Sequence, residues 1–443
     1  ITLLTNESIS TSNTIYTLYI WIDGANYVNP STMMGKEFNF KLHADGEGAV
    51  VKGPADATLS RLNALNPTIK VDTEHRPHFS TVSGNSGISH QFDNSGGQDD
   101  TIEEQGDGTK GIYAAEDDLG KSYYFRGDVD NNYVKFGTYS QDLYYGKDSE
   151  GKYVTGTSCD NIPTDCKKLA SPGDSMYWRI IRINGDGSVR MIYAGTEAYA
   201  NGSEEQTTSH IGYSAYNVNN NDNTYVGYMY GTAGSSTYEE THKNTNDSTI
   251  KTFIDNWYKT NLSNYTSYLQ DTIYCNDRSI TTVDSFLGME LTGNGTSTLG
   301  TAYSSLTRNY INSPATPSLK CSNTNDRFTV STENGNGVLT YPVGLITIDE
   351  MIYAGASLYD VINDSYVTNS IFYLYTGDYG FWTMTPEACI VGTATIDYYS
   401  HEGIARTIGN VGEEEVGVRP VISLKSDVTT GGDGTMNNPF TVG

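Results

Sequence analysis

Residues 14–22, Thr-Ile-Tyr-Thr-Leu-Tyr-Ile-Trp-Ile, form a run rich in β-branched and aromatic residues, the composition of a strand. Asp23-Gly24 and Asn29-Pro30 mark turns after it. Residues 37–43 then alternate, with Phe38, Phe40 and Leu42 against Asn39, Lys41 and His43, which predicts a half-buried strand. Two strands do not stand alone in water. This pair is therefore expected to complete a sheet with residues 44–90, with upstream chain, or with a neighbouring copy. Leu59, Leu62 and Leu65 sit at helical spacing between Pro54 and Pro67 and predict a short helix. Residues 80–111 are rich in Gly, Ser, Asp and Gln without apolar period, as in a linker.

Strand signals return at Tyr123-Tyr124-Phe125-Arg126 and at Tyr133-Val134-Lys135-Phe136-Gly137, on either side of a turn. Trp178–Ile183 and Ser188–Tyr193 flank Asn184-Gly185-Asp186-Gly187, the clearest hairpin in the chain. Its alternation puts Trp178, Ile180 and Arg182 on one face and Arg179, Ile181 and Ile183 on the other. Residues 197–247 are polar and predict a long loop, and residues 276–335 predict loops with short strands. Ile250, Phe253, Ile254, Trp257 and Leu262 make the apolar stripe of a helix, with Asp247 or Ser248 as its cap. A second helix is expected from Thr347, where Thr347 and Glu350 have capping-box spacing ahead of Met351 and Ile352. Phe381-Trp382-Thr383-Met384-Thr385-Pro386 and Gly417-Val418-Arg419-Pro420-Val421-Ile422-Ser423-Leu424 read as two core strands of one small sheet. Residues 387–416, held between them, are expected to be a displayed polar segment.

At 443 residues the chain exceeds one ordinary core, so two or more domains are expected. Its formal net charge of −26 argues against nucleic acid or anionic lipid as partner, since phosphate binding needs clustered Lys and Arg. Tyrosine stands out, 35 against 12 phenylalanines. Most of these suit half-buried β-structure, and some suit a contact surface. Cys159 and Cys166 are close enough for a local disulfide, Cys275 and Cys321 could staple a longer excursion, and Cys389 is then left over, the connectivity itself not being derivable from sequence. The expectation is an exported protein with two disulfides and one free thiol. No CxxC motif, zinc spacing or signal-peptide pattern occurs, and no apolar run is long enough for a membrane span. The chain opens on Ile1-Thr2-Leu3-Leu4, so upstream residues are expected to have been removed or to lie outside it.

The ordered set Trp178-Arg179-Ile180-Ile181, Ser248-Thr249-Ile250-Lys251 with Trp257, Leu345-Ile346-Thr347 with Glu350, Trp382 with Pro386, and Gly417-Val418-Arg419-Pro420 resembles domains of bacterial surface proteins related to the C-type-lectin and formylglycine-generating-enzyme fold. The resemblance spans residues 118–443. It implies an α+β fold in which a twisted antiparallel sheet and two helices, with long loop insertions, support an irregular binding surface. Some members of that superfamily are diversified near the chain end by retroelements, and 387–416 lies where such a segment would fall. The enzyme branch calls for a reactive cysteine pair or metal ligands late in the fold, where only Cys389 stands. Calcium lectins carry Glu-Pro-Asn and Trp-Asn-Asp sets, which 370–420 lacks. Neither catalysis, a metal nor a cofactor is therefore expected. Separately, Tyr16–Asp23 with Gly35–Phe40 is similar to the closing strands of camelysin-like biofilm-fibre β-sandwiches. The implied organisation is a β-sandwich-like segment at 1–90, a linker at 91–117 and a C-type-lectin-like domain at 118–443.

Within the expected surface, Tyr398, Tyr399, His401, Glu402, Arg406 and Asn410 are the candidate ligand contacts, with Trp382 as a pocket wall. A tryptophan in an aromatic strand is more often core. Arg419, between apolar residues, is expected to be buried against a backbone carbonyl or an acid. Asp128, Asp130, Asn131 and Asn132 fail the calcium-loop pattern and read as a polar turn. Arg126-Gly127-Asp128 matches an integrin tripeptide by chance of a strand end. His401-Glu402 reads as a displayed polar pair, and Glu413-Glu414-Glu415 as a solvated turn beside the surface, repelling acidic ligands or attracting basic ones. The expected function is a non-enzymatic, extracellular cell-surface ligand-binding protein or adhesin for a protein or glycan. The alternative is a structural subunit of a pilus, fibre or surface layer that self-assembles through its N-terminal strands. An oxidase of the formylglycine-generating type rests on fold analogy alone.

Overall fold

The computed structural model describes residues 53–69, 71–72, 110–203, 209–281, 285–286, 289–291, 300–311, 315–356, 359–360, 365–366, 372–376, 380–400 and 407–443. All belong to the second of two units into which the chain divides, Lys52–Gly443. The strands expected at 14–22 and 37–43, assembly through them, and most of the expected linker lie outside the described residues.

Helix α1 (Pro54–Leu65) begins on a proline, whose missing N–H costs nothing in the first turn. It buries Ala55, Leu59 and Leu62. Strand β1 (Gly111–Asp117) forms a hairpin with β2 (Gly120–Arg126); β1 occupies residues expected to be linker. Strand β3 (Tyr133–Thr138) follows the predicted turn. Next, β4 (Leu143–Lys147), β5 (Tyr153–Gly156) and β6 (Thr164–Ala170) make a small sheet with β4 in the middle. The predicted hairpin is β7 (Ser175–Ile183) and β8 (Val189–Gly195).

The long strand β7 organises the largest sheet. Strand β2 pairs with its Arg182–Ile183 end and β3 with its Ser175–Arg179 half, so these two predicted strands line up along one edge. Strand β8 takes the other edge. Both faces of β7 are buried, Trp178, Ile180 and Arg182 as well as Arg179, Ile181 and Ile183. The hairpin turn reaches α1, where Thr58 donates to Gly187 O at 2.7 Å. Gly187 has φ +84°, and a Cβ there would lie 2.8 Å from Pro54 O, so the turn needs glycine twice over. Helix α1, ahead of the expected linker, thus packs on the sheet that follows it.

Helix α2 (Thr249–Asn261) is capped by Ser248, which accepts from the Lys251 N–H. It sets Trp257 against Trp178 and Tyr193. Helix α3 (Ile348–Ala354) shows the predicted capping box: Glu350 N–H donates to Thr347 Oγ1 at 3.1 Å and Thr347 N–H to Glu350 Oε2 at 3.0 Å. It stops at Gly355 in the left-handed region, φ 110°. The same Glu350 carboxylate pairs with Arg182 at 3.0 Å and Arg190 at 2.6 Å, fixing α3 to the β7–β8 hairpin.

Strands β9 (Phe381–Ile390), β10 (Thr393–Tyr399) and β11 (Thr407–Asn410) form a second sheet with the short Gly300–Ala302. Strand β12 (Val421–Leu424) pairs with β8 in the large sheet. The two late strands therefore belong to different sheets. They meet where Trp382 N–H donates to Gly417 O and Gly417 N–H to Gly380 O, both at 3.0 Å. Residues 387–400 are no displayed segment either: Cys389, Ala394, Ile396, Asp397 and Tyr399 are buried. Small and β-branched residues there make a good strand without large apolar side chains to announce a core. The described part of 197–247, expected as a long loop, carries short helices at Asn223–Val226 and Tyr238–Thr241 and a two-residue ladder between Met229–Tyr230 and Asn246–Asp247, and it puts Ile211, Tyr216 and Tyr228 into the core.

Disulfides join Cys159 to Cys166 and Cys275 to Cys321, and Cys389 is buried and belongs to neither. Among the described residues no helix is long and apolar enough to cross a membrane.

Candidate functional site

Separate segments of the chain meet around an open cleft of about 670 Å³: Lys152 and Tyr153, Tyr213, Gly380 with Tyr398, and Gly412–Val416. Each wall has a local cause. Tyr153 opens β5 after a turn held by Asp148, whose Oδ1 accepts from the N–H of Glu150 (2.8 Å) and of Lys152 (3.0 Å). Lys147 lies opposite Tyr153 across β4 and β5. Its Nζ sits 4.7 Å over the Tyr153 ring, in cation–π range. Tyr145, diagonal to Tyr153, stacks on it with centroids 5.6 Å apart and planes at 9°. Tyr213 stacks from the other sequence segment, at 5.7 Å and 26°. Its irregular backbone is strung along Val416–Val418: Ser214 N–H donates to Val416 O (3.3 Å) and Ile211 N–H to Val418 O (2.9 Å).

Tyr398 projects from β10 opposite Trp382, ring centroids 5.8 Å apart. Gly409 leaves room for both: a Cβ there would lie 2.7 Å from the Trp382 ring and 2.8 Å from the Tyr398 ring. The acidic rim hangs on Asn410. Its Oδ1 accepts from Gly412 N–H and Asn220 Nδ2, both at 2.9 Å, and its carbonyl accepts from Glu413 N–H. The turn leaves Glu413, Glu414 and Glu415 exposed. Lys152 Nζ reaches Glu414 at 2.7 Å and Glu150 at 3.6 Å. That hydrogen bond to Glu414 raises the Lys152 ammonium above its ordinary value, but an exposed pair of this kind adds little stability. Desolvation by its surroundings raises the Glu413 carboxyl, offset in part by the Asn410 backbone, although the side chain stays accessible.

Of the predicted contacts, Tyr398 alone lines this cleft among the described residues; it is half-buried. Tyr399 points to the other face and is fully buried between Phe372 and Phe381. Burial pushes its phenol well above the usual range. Trp382 is core, its indole N–H donating to Ser214 O at 2.8 Å. Asn410 is engaged in the turn rather than displayed. His401, Glu402 and Arg406 lie outside the described residues. Arg419 is buried and donates to Tyr193 O (3.0 Å) and Leu374 O (3.3 Å), as its apolar neighbours predict. Beneath Tyr213 lies buried His210 (ring centroids 5.6 Å apart). Burial and then the Arg419 charge push His210 down to about 3, so it stays neutral. Tyr153, Tyr213 and Lys152 were missed by sequence. Nothing along the chain distinguishes the two rings among its many tyrosines or Lys152 among its lysines, and only folding brings them to Tyr398.

A second, partly open space of about 30 Å³ is lined in part by Asp117, Arg182, Arg190, Asp277, Arg308, Asp349 and Glu350. Its charges are matched in pairs, Arg182 to Asp117 and Arg308 to Asp277 (2.7 Å) and Asp349 (3.1 Å). With its charges paired within the chain, it reads as ionic packing between α3 and the sheet. Among the described residues no group of three or more His, Cys, Asp or Glu is set to hold a metal ion.

No protein-family model, curated protein or solved structure matches this chain. The cleft combines tyrosine rings, an acidic rim and the Lys152 ammonium.

Proposed function

We propose that this chain is a non-enzymatic, extracellular cell-surface binding protein whose ligand docks in the tyrosine-walled cleft. The supporting observation is the convergence of Tyr153, Tyr213 and Tyr398 on one open space of about 670 Å³. That volume is in the range of ligand pockets. Half-buried tyrosines give contact area at low entropic cost, because few torsions have to be fixed. The Cys159–Cys166 and Cys275–Cys321 disulfides fit an oxidising compartment. The C-type-lectin-like reading of 118–443 agrees with irregular, core-anchored segments carrying the binding residues over a sheet.

The test is a binding screen of the full chain against glycan and extracellular-protein panels, repeated with Tyr153→Leu/Tyr398→Leu. Hits are expected to weaken at least about tenfold, the loss of roughly 1.4 kcal/mol of ring contact, with little change in melting temperature. Hits that the double variant retains in full would place binding elsewhere and overturn the proposal.

A further inference from the structure

We infer that the cleft takes a lysine-bearing cationic peptide segment of a partner protein; this rests on the cleft being the binding site. The rim carries three carboxylates, Glu413, Glu414 and Glu415, against one ammonium, Lys152. The two kinds of surface in the cleft already meet ammonium groups of the chain itself. Lys147 Nζ lies over the Tyr153 face at 4.7 Å, and Lys152 Nζ meets Glu414 at 2.7 Å. A tyrosine face attracts a cation through its ring quadrupole, and a carboxylate through charge-assisted hydrogen bonds. Among the described residues neither Glu413 nor Glu415 has a cationic partner. An incoming lysine finds these two carboxylates without an ion pair among the described residues and competes with Lys152 for the third. The ring-lined interior beside them accepts the lysine's methylene stem, which is apolar while its head stays at the rim. An acidic peptide meets like charge at the same place.

The probe is fluorescein-labelled hexalysine, titrated by fluorescence polarisation into the full chain at physiological salt. Hexaglutamate and a neutral oligosaccharide serve as comparison ligands. Hexalysine is expected to bind and hexaglutamate not to. Glu413→Gln/Glu415→Gln should weaken binding about five- to tenfold, the worth of two partly screened charge contacts. The outlying exposed pair Glu239→Gln/Glu333→Gln changes net charge equally and should leave affinity within about twofold. Lys152→Ala should tighten binding by removing the internal competitor. Tyr153→Leu should weaken it, and Tyr153→Phe should preserve it.

Equal losses from the two glutamate pairs mean diffuse attraction to an acidic surface and overturn the inference. So does unchanged or weaker binding by Lys152→Ala. Should hexalysine fail while the oligosaccharide binds and is lost on Tyr153→Leu/Tyr398→Leu, the cationic ligand is wrong and the cleft stands. Should every probe, and every hit of the wider screen, ignore that double variant, both readings fall.

Discussion

Gly409 is a position where one missing side chain sets the cleft. Trp382 and Tyr398 lie across the space its Cβ would fill. Close-packed interiors answer such an insertion with ring displacement, at about 1–3 kcal/mol. Gly409→Ala is expected to lower stability by that amount in urea unfolding, to shift tryptophan fluorescence as Trp382 moves, and to weaken any ligand of the cleft. A variant with unaltered fluorescence and stability would mean that the rings do not crowd this backbone. Residue-scale legibility was uneven. Arg419 showed its burial through apolar neighbours, and Trp382 through its aromatic strand. Tyr398 and Tyr399 are adjacent in a strand, so opposite faces were certain, but which ring met the cleft depended on where the second sheet packs.

Local signals at element scale were strong where backbone chemistry demands particular residues. The Thr347–Glu350 capping box, the Ser248 cap, the proline-bounded helix and the Asn-Gly-Asp-Gly hairpin all stand where expected. Pairing was not legible in the same way. Strands β2 and β3 look like partners across a turn but share β7, and β9 and β12 look like one sheet but lie in two. Glu350 shows how an element signal acquires a tertiary role, capping α3 while holding Arg182 and Arg190. Burial works to raise its pKa, yet Arg190 and Arg182 outweigh that and hold it below the ordinary value. Glu350→Gln keeps the capping geometry, since glutamine serves at that position, and removes only the charge. It is expected to cost about 3–5 kcal/mol, as does leaving a buried cation unpaired. Thr347→Ala removes the cap bond and is expected to cost about 1 kcal/mol. Equal costs in chemical denaturation would show that the ionic contacts add nothing beyond the cap.

For the whole molecule, pH is the lever that the buried histidines make visible. Desolvation pushes His210 and His242 down to about 3, with Arg419 and Arg278 as further positive charges beside them. In the unfolded chain both titrate near the ordinary value of 6.5. Between about pH 6.5 and 3 the unfolded state therefore binds protons that the folded state refuses. Stability is expected to fall with decreasing pH through that window, by about 1.4 kcal/mol per pH unit for each histidine. Urea titrations at about pH 7, 6 and 5 measure the slope, and His210→Gln should remove roughly half of it. A flat wild-type response would mean that these rings reach solvent. The same scale explains the fate of 387–416. Its polar composition promised display, yet 387–400 supplies a hairpin whose strands are mostly buried and whose Val391 tip is exposed, and the acidic rim comes from the turn at 412–416 beside distant tyrosines.

Sequence alone determined the capped helices, the tight hairpin, the tyrosine-rich composition and the acidic balance, because caps, turns, periodicity and charge act over a few residues or by simple count; that many tyrosines, Tyr193, Tyr216 and Tyr303 among them, are fully buried was decided by packing. Only the tertiary structure decided which strands share a sheet, which tyrosine faces the cleft, and that Lys152, Tyr153 and Tyr213 stand beside Tyr398. Those outcomes depend on which apolar faces find one another across long stretches of chain. Residues brought together that way carry no mark of it in their own neighbourhoods.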